Sequence, residues 1–306
     1  MLGLDAVLLA LEIGPREANV YHSVQLGLPA VARARTVLTI HDLAPLRWPE
    51  HYLRRPHARV GHAWQYALAQ RAGAVIVPSR ATAADVARYL AIPAARVYVI
   101  PEAVDHAFAP PAREEGRRVA RGRFGVPERY VLYVGQFEPR KNLDGLLEAF
   151  ADAARDDADL RLVVVGDLGA LAPHLRQALE RTRAPRDRVV VTGFVDDRTL
   201  AALYSGAECL LHAALLEGFG LTPLESLAAG TPVVGYDAGA TREVVGDAGL
   251  LVDPAEPHAL GDALRSVLAA DQLASELRAR APARVAAFSW DDAARRTLDV
   301  YRSLVA

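Results

Sequence analysis

Lysine is almost missing from this 306-residue chain: of its 35 basic residues, every one except Lys141 is arginine. Cysteine is as scarce. Cys209 stands alone, which excludes an intramolecular disulfide framework and any multi-cysteine zinc site, and fits a reducing compartment. Neither sign of charge is in excess, the formal net charge being −2, so nothing in the balance points to nucleic acid as a partner. No membrane span is legible either. The opening MLGLDAVLLALEIG is apolar but short, lacks a basic flank and carries Asp5 and Glu12, which predicts an amphipathic helix and not a signal peptide. These absences together predict a cytoplasmic protein.

What is present is a globular composition, 52% hydrophobic and 24% charged, in a length that suits about two domains. Short β-branched runs alternate with helical patterns. The candidate strands are ANVYHS, TVLTIH, AVIVPS and RVYVIPEAV, then YVLYVGQ, LRLVVVGD, DRVVVTGF, AECLLHA, TPVVGY and GLLVD. Most are apolar throughout, as strands covered on both faces are, so the pattern predicts βαβ units and open parallel sheets. The stretch FAPPAREEGRRVARGRFGVPE interrupts the alternation with paired prolines and a charge run. It divides a first domain, residues 1–112 with four strands, from a second, residues 113–288 with six. Residues 289–306 form a last helix, capped by Ser289 with Asp292 three positions on, expected to return to the first domain.

The densest chemical signal is EGFGLTPLESLAAGTPVVGYDAGATREVV, residues 217–245. Gly218 and Gly220 around Phe219 let backbone approach a ligand closely, and Leu221 and Thr222 lead into a helix whose free N–H groups suit an anion. Thr222 as N-cap, Pro223 and Glu225 make a complete capping box, so helix initiation and ligand binding both fit Glu225. Glu217 has no such local duty. Arg140 and Lys141 precede Asn142, the expected N-cap of a helix carrying Leu143, Leu146, Leu147 and Phe150. Two cations beside a positive helix end repel it unless an anion lies between. The alternative is solvation, or pairing with Asp144 and Glu148. Lysine supplies a compact charge on a flexible stem where arginine supplies a rigid fork, so a lone lysine is not a casual choice at a phosphate. His41 and Asp42 end the strand TVLTIH, at the sheet edge where open α/β folds bind ligands. The pair Asp196-Asp197 is expected to cap the following helix.

Together these segments resemble the retaining glycosyltransferases of family 4, with their GT-B fold of two Rossmann-like domains and an interdomain cleft. The likeness rests on VGQFEPRKNLDGLLEAF, LRLVVVGD, VTGFVDDRTLAALYSGAECLL, EGFGLTPLESLAAGTPVV and EVVGDAGLLVDP, extended forward by TIHDLAPLRWPE and VIPEAVDHAF. Its most specific element is the pair Glu217 and Glu225. The resemblance implies that Arg140 and Lys141 neutralise the diphosphate of a nucleotide sugar. It implies that backbone from Gly218 through Phe219, Gly220 and Leu221 to Thr222 holds sugar and diphosphate, that Glu225 binds the ribose, and that Glu217 and His41 act catalytically at the sugar. Gly193, Phe194 and Val195 would flank the base. It implies no metal and no cofactor besides the nucleotide-sugar co-substrate, and a glycan or lipid-linked acceptor at the inner face of the membrane. EPRKN and TIHDLAPLRWPE look most like bacterial mannosyltransferase-type members, which favours GDP-mannose.

The chain departs from the pattern twice. Gln136 stands where many relatives carry arginine. Set against that pattern, the first domain is also expected to lack the opening strand and glycine-rich loop of relatives, and an incomplete sheet calls for a second copy of the chain, a complementing chain, or a longer protein of which this is a fragment. A non-catalytic nucleotide-sugar-binding module is therefore a second reading. A third, Lys141 as a pyridoxal-phosphate Schiff base, fits the remaining motifs poorly.

Overall fold

A computed structural model of the chain describes residues 18–29, 34–108, 112–127, 129–136, 138–166 and 168–306. The expected helix in MLGLDAVLLALEIG lies outside them. The chain divides into two compact units: one runs to Glu102 and takes in Ser289–Ala306, and the other is Ala103–Phe288. The division falls before residue 112 because Val104 and Phe108 already pack into the second unit's core.

In the first unit β1 (Val20–Ser23), β2 (Arg35–Thr39), β3 (Ala74–Val77) and β4 (Val97–Val99) form a parallel sheet in that order. Successive side chains leave a strand on opposite faces, so one apolar run feeds two layers. Leu38, Val75 and Val77 face α1 (Pro56–Ala69), which presents Tyr66, Leu68 and Ala69. Val37, Ala74 and Ile76 face the C-terminal helix Trp290–Val305 through Ala293, Val300, Tyr301 and Leu304. Each valine so buried contributes about 1.5–3 kcal/mol. Polar contacts fix the helix in register. His22 bridges the Tyr301 hydroxyl at 2.6 Å and the Thr39 hydroxyl at 2.8 Å, and Arg296 donates to the Val99 carbonyl at 2.6 Å. The helix begins at Ser289, whose hydroxyl accepts from the Asp292 N–H.

The second unit carries six parallel strands, β5 (Tyr130–Val134), β6 (Arg161–Val165), β7 (Val189–Gly193), β8 (Leu210–His212), β9 (Val233–Tyr236) and β10 (Gly249–Val252). Their order is β10-β9-β8-β5-β6-β7. The chain winds outward from β5 to β7, then returns to lay β8 on the other side of β5, pairing Leu132 with Leu210. Winding therefore reverses between β5 and β8, and in such doubly wound sheets ligands bind at the carboxyl ends of the strands flanking the reversal. Val131, Tyr133, Leu162 and Val164 join a core beneath α2 (Leu143–Ala153), built on Leu146, Leu147 and Phe150. Tyr130, Leu132, Val163 and Val165 join the opposite core, with Leu203 and Tyr204 of α3 (Asp197–Gly206). Asp196 caps α3 by accepting from the Thr199 N–H at 2.8 Å.

The helix Arg113–Phe124 lies so close to α3 that a Cβ on Gly116 would sit 2.6 Å from the Gly206 nitrogen and also meet the Ala202 carbonyl. Gly116→Ala should cost ~1–3 kcal/mol by overpacking. Urea denaturation measures it, and an unchanged midpoint would show that the two helices part freely.

Candidate functional site

The carboxyl ends of β5 and β8 converge on one cluster of charge. After β5 the chain makes a short turn, Pro139–Lys141, and enters α2 through Asn142, which takes a left-handed conformation (φ 51°). The Asn142 side chain accepts from the Gly145 N–H, so the expected cap is formed. After β8 the chain runs alongside this turn, and the Leu215 N–H donates to the Arg140 carbonyl at 2.7 Å. This contact brings Glu217 under both cations. Lys141 Nζ donates to Glu217 Oε1 at 2.6 Å, and Arg140 Nη1 donates to Oε2 at 3.0 Å. Arg140 Nε also donates to Glu138 Oε2 at 2.7 Å, and Nη1 lies 3.3 Å from the Leu216 carbonyl.

Neither cation is solvated: their side chains are 15% and 13% exposed, and that of Glu217 is 7%. Pairing with Asp144 and Glu148 is not what occurs. Asp144 binds Arg181 instead, at 2.8 Å. Burial alone would push the Glu217 carboxyl upward, but Lys141, His212 and Arg140 outweigh it and hold the group below the ordinary carboxylate range. Two cations and two carboxylates, Glu138 included, leave the cluster formally neutral.

The Glu217 backbone is held as closely as its side chain. Its carbonyl accepts from the Ala240 N–H at 3.0 Å. The neighbouring Gly239 takes φ 58°, and a Cβ there would meet both the Glu217 nitrogen and its carbonyl oxygen at 2.6 Å. Only glycine admits that approach.

The capping box expected at Thr222 is not formed. The helix α4 (Leu221–Ala228) begins two residues earlier, with Gly220 as N-cap at φ 111° and no side-chain cap. Thr222 lies inside the first turn, where its carbonyl faces the Tyr204 hydroxyl at 3.4 Å. Glycine reaches this conformation without strain, and that freedom moves the helix start. Glu225 thus has no part in initiating the helix. Its Oε2 accepts from the Tyr204 hydroxyl at 2.9 Å, and burial pushes its carboxyl up to about 7, against the lowering effect of the Tyr204 bond and with a further rise from Asp197.

Phe219 turns away from the charge cluster. It stacks edge-on against Phe288 at 5.6 Å and packs with Leu224 and Val244. Leu221 is partly exposed. On the edge strand β7, Gly193 takes φ 75°, Phe194 is 88% exposed and Val195 packs against the core. An aromatic ring that open on a strand's carboxyl end is free to stack on a planar ligand.

His41 belongs to the other unit. Nδ1 lies 2.9 Å from Glu102 Oε1 and Nε2 lies 3.0 Å from the Val24 carbonyl. Both partners accept and neither donates, so both contacts are satisfied only by the imidazolium; the Glu102 bond accordingly raises the His41 pKa.

Three participants escape a reading of the sequence: Glu138, Tyr204 and His212. His212 is the last residue of β8, is 4% exposed, and places Nε2 3.4 Å from Glu217 Oε1. The strand-end rule that singles out His41 would have found it. Among the described residues no group of three or more His, Cys, Asp or Glu is disposed to hold a metal ion, and no helix is long and apolar enough to cross a membrane.

A doubly wound unit with cations and carboxylates at its winding reversal, in one chain with a second parallel-sheet unit, is the GT-B architecture. Residues 119–284 match the family described as Glycosyl transferases group 1, and residues 9–108 match that described as Glycosyltransferase Family 4; the chain belongs to this glycosyltransferase family. It is 30% identical over 290 residues to O-antigen chain mannosyltransferase B of Escherichia coli, covering 93% of this chain and 74% of that protein. It is 34% identical over 285 residues to the D-inositol 3-phosphate glycosyltransferase of Xylanimonas cellulosilytica, covering 90% and 66%. The serotype-specific mannosyltransferase WbdA of Escherichia coli is 28% identical over 275 residues, and there the chain spans 89% of its own length but only 34% of the relative's. Among solved structures, sucrose-phosphate synthase from Thermosynechococcus elongatus superposes with a TM-score of 0.75 at 27% identity, over 90% of this chain and 69% of that one. HepE from Anabaena, in complex with UDP and glucose, superposes at 0.72 and 24%, over 89% and 72%.

Glu225 resists ionisation in the fold, so it favours the folded state below the ordinary glutamate pKa of 4.5, and that contribution is lost as pH rises through about 7. Glu225→Gln should therefore lose less stability between pH 5 and pH 8 than the unsubstituted protein. The difference, of order 3 kcal/mol at most, is read by urea denaturation at the two pH values. Equal losses in both proteins would show that the carboxylate is already ionised at pH 5.

Proposed function

We propose that the chain is a metal-independent, retaining glycosyltransferase that moves a hexose, mannose being favoured, from a nucleoside-diphosphate sugar to a glycan or lipid-linked acceptor. The observation that carries this reading is the buried set Lys141, Arg140 and Glu217 at the winding reversal. The bond from sugar C1 to the β-phosphate breaks with its electron pair left on the diphosphate, while an acceptor hydroxyl oxygen bonds to C1 and gives its proton to the leaving phosphate. Charge thus grows on the diphosphate as the bond breaks, and fixed cations stabilise that state more than the ground state.

In this reading Lys141 and Arg140 exchange Glu217 for the diphosphate, backbone from Gly218 to Thr222 lines the sugar and phosphates, and Glu217 accepts from the sugar hydroxyls. Glu225, held by Tyr204, takes the ribose diol, Gly193 to Val195 flank the base, and His41 acts at the sugar from the other domain. The resemblance to bacterial mannosyltransferases supports a GDP-linked donor, a polysaccharide pathway, and work in the cytoplasm at the inner face of the membrane. Four strands among the described residues of the first unit, against six in the second, favour a second reading, a donor-binding module without turnover.

The test is release of nucleoside diphosphate from GDP-mannose and from UDP-glucose, beside calorimetric binding of GDP and UDP. Turnover supports the enzyme, binding without turnover supports the module, and neither would sink both.

Two variants probe the cluster. Lys141→Ala should weaken diphosphate binding ~10- to 100-fold, the loss of a charge-assisted contact, and Lys141→Arg should recover part of it. Unchanged affinity in the alanine variant would remove Lys141 from the site. Glu217→Gln should abolish transfer yet bind GDP or UDP at least as well as the unsubstituted protein, because it frees both cations from a competing carboxylate. Loss of binding together with transfer would make Glu217 a structural residue.

A further inference from the structure

One buried polar atom beside the charge cluster has no hydrogen-bond partner: His212 Nε2. It lies 3.4 Å from Glu217 Oε1, too far for a good N–H···O bond, while that same oxygen is engaged by Lys141 at 2.6 Å. The residue is enclosed and its backbone is held closely. The residue is 3% exposed, and β9 passes so close that a Cβ on Gly235 would lie 2.6 Å from the His212 carbonyl oxygen and 3.0 Å from its Cβ.

We propose that His212 is a positioning residue for Glu217, donating its Nε2 hydrogen to Oε1 when a donor diphosphate draws Lys141 and Arg140 away. The inference rests on the glycosyltransferase reading given above. Its physical basis is the fate of a buried anion. Glu217 stays ionised while two cations face it, and a carboxylate so buried takes up a proton once they are gone. A protonated Glu217 could no longer accept from two sugar hydroxyls at once.

Among the described residues the other groups close to Glu217 are unsuited to replace them. Tyr133, from β5, donates its hydroxyl to the Gln136 carbonyl at 3.1 Å, and the Glu138 carboxylate has no hydrogen to donate. His212 is the group whose donor is uncommitted. Burial drives its pKa down to about 4, countered by Glu217 and reinforced by Lys141 and Arg140, so at neutral pH the ring is uncharged and carries one N–H. Such a ring holds the carboxylate without competing with the cations for the diphosphate.

His212→Leu and His212→Gln test the role, with GDP-mannose and UDP-glucose turnover followed against pH and GDP and UDP binding measured alongside. Loss of a hydrogen bond to a charged acceptor should lower kcat of the leucine variant ~10- to 100-fold while nucleotide affinity changes little. Its acid limb should move to higher pH, since Glu217 would protonate more readily in the donor complex. Glutamine can place an amide N–H near the Nε2 position, and should restore most of kcat and the original acid limb. Three outcomes would overturn the proposal: a leucine variant with unchanged kcat, an acid limb that stays in place, or parallel loss of kcat and nucleotide binding in both variants. If the unsubstituted protein releases no diphosphate from either donor, the glycosyltransferase reading fails, and the role of His212 fails with it.

Discussion

One buried carboxylate between two cations organises the second unit. Glu217 meets Lys141 and Arg140 where water is nearly excluded, and the desolvation of three charges consumes much of what their attraction returns. Apolar side chains of similar volume would hold the two loops together about as well. Removing any single member, by contrast, leaves an uncompensated charge in a dry place. Such an arrangement is poor as a stabilising device and well suited as a poised one: its members are pre-arranged, and an anion of higher charge can reassign them.

Topology makes the arrangement available. Lys141 and Glu217 stand 76 residues apart in sequence, yet they follow adjacent strands because winding reverses between β5 and β8. The Leu132–Leu210 pairing and the Leu215-to-Arg140 backbone bond carry that adjacency from the sheet into the loops. Gly239 then lets a third loop close on the Glu217 backbone without a side chain in the way. The charges are placed by backbone, so the side chains need few local devices of their own.

The fold was more legible in the sequence than the site. Most of the ten strands among the described residues are short, largely apolar runs, and period-two sorting onto two cores needs nothing beyond the chain's own pattern. The start of α4 differs from the sequence pattern because Thr222, Pro223 and Glu225 satisfy the local rules for a cap while Gly220, two positions earlier, reaches a capping conformation at less conformational cost. Rarity pointed to Lys141. Its partner did not follow, because local spacing offers Asp144 and Glu148 whereas the true partner arrives through tertiary structure. His212 was lost among nine histidines for the same reason: its meaning lies in what the neighbouring loop brings to it.

The single lysine acquires a physical reason from its neighbour. Arg140 is tied through its planar fork to Glu138, Glu217 and the Leu216 carbonyl, so giving up Glu217 still leaves it two contacts that hold the guanidinium. Among the described residues Lys141 gives its ammonium to Glu217, at 2.6 Å, on a flexible four-carbon stem. A cation that must pass from a resident carboxylate to an arriving diphosphate moves most cheaply when it holds one strong contact and no planar geometry. Arginine at position 141 would keep the charge and resist the exchange. The chain that elsewhere writes its positive charge as arginine thus keeps its one ammonium where the charge has to move.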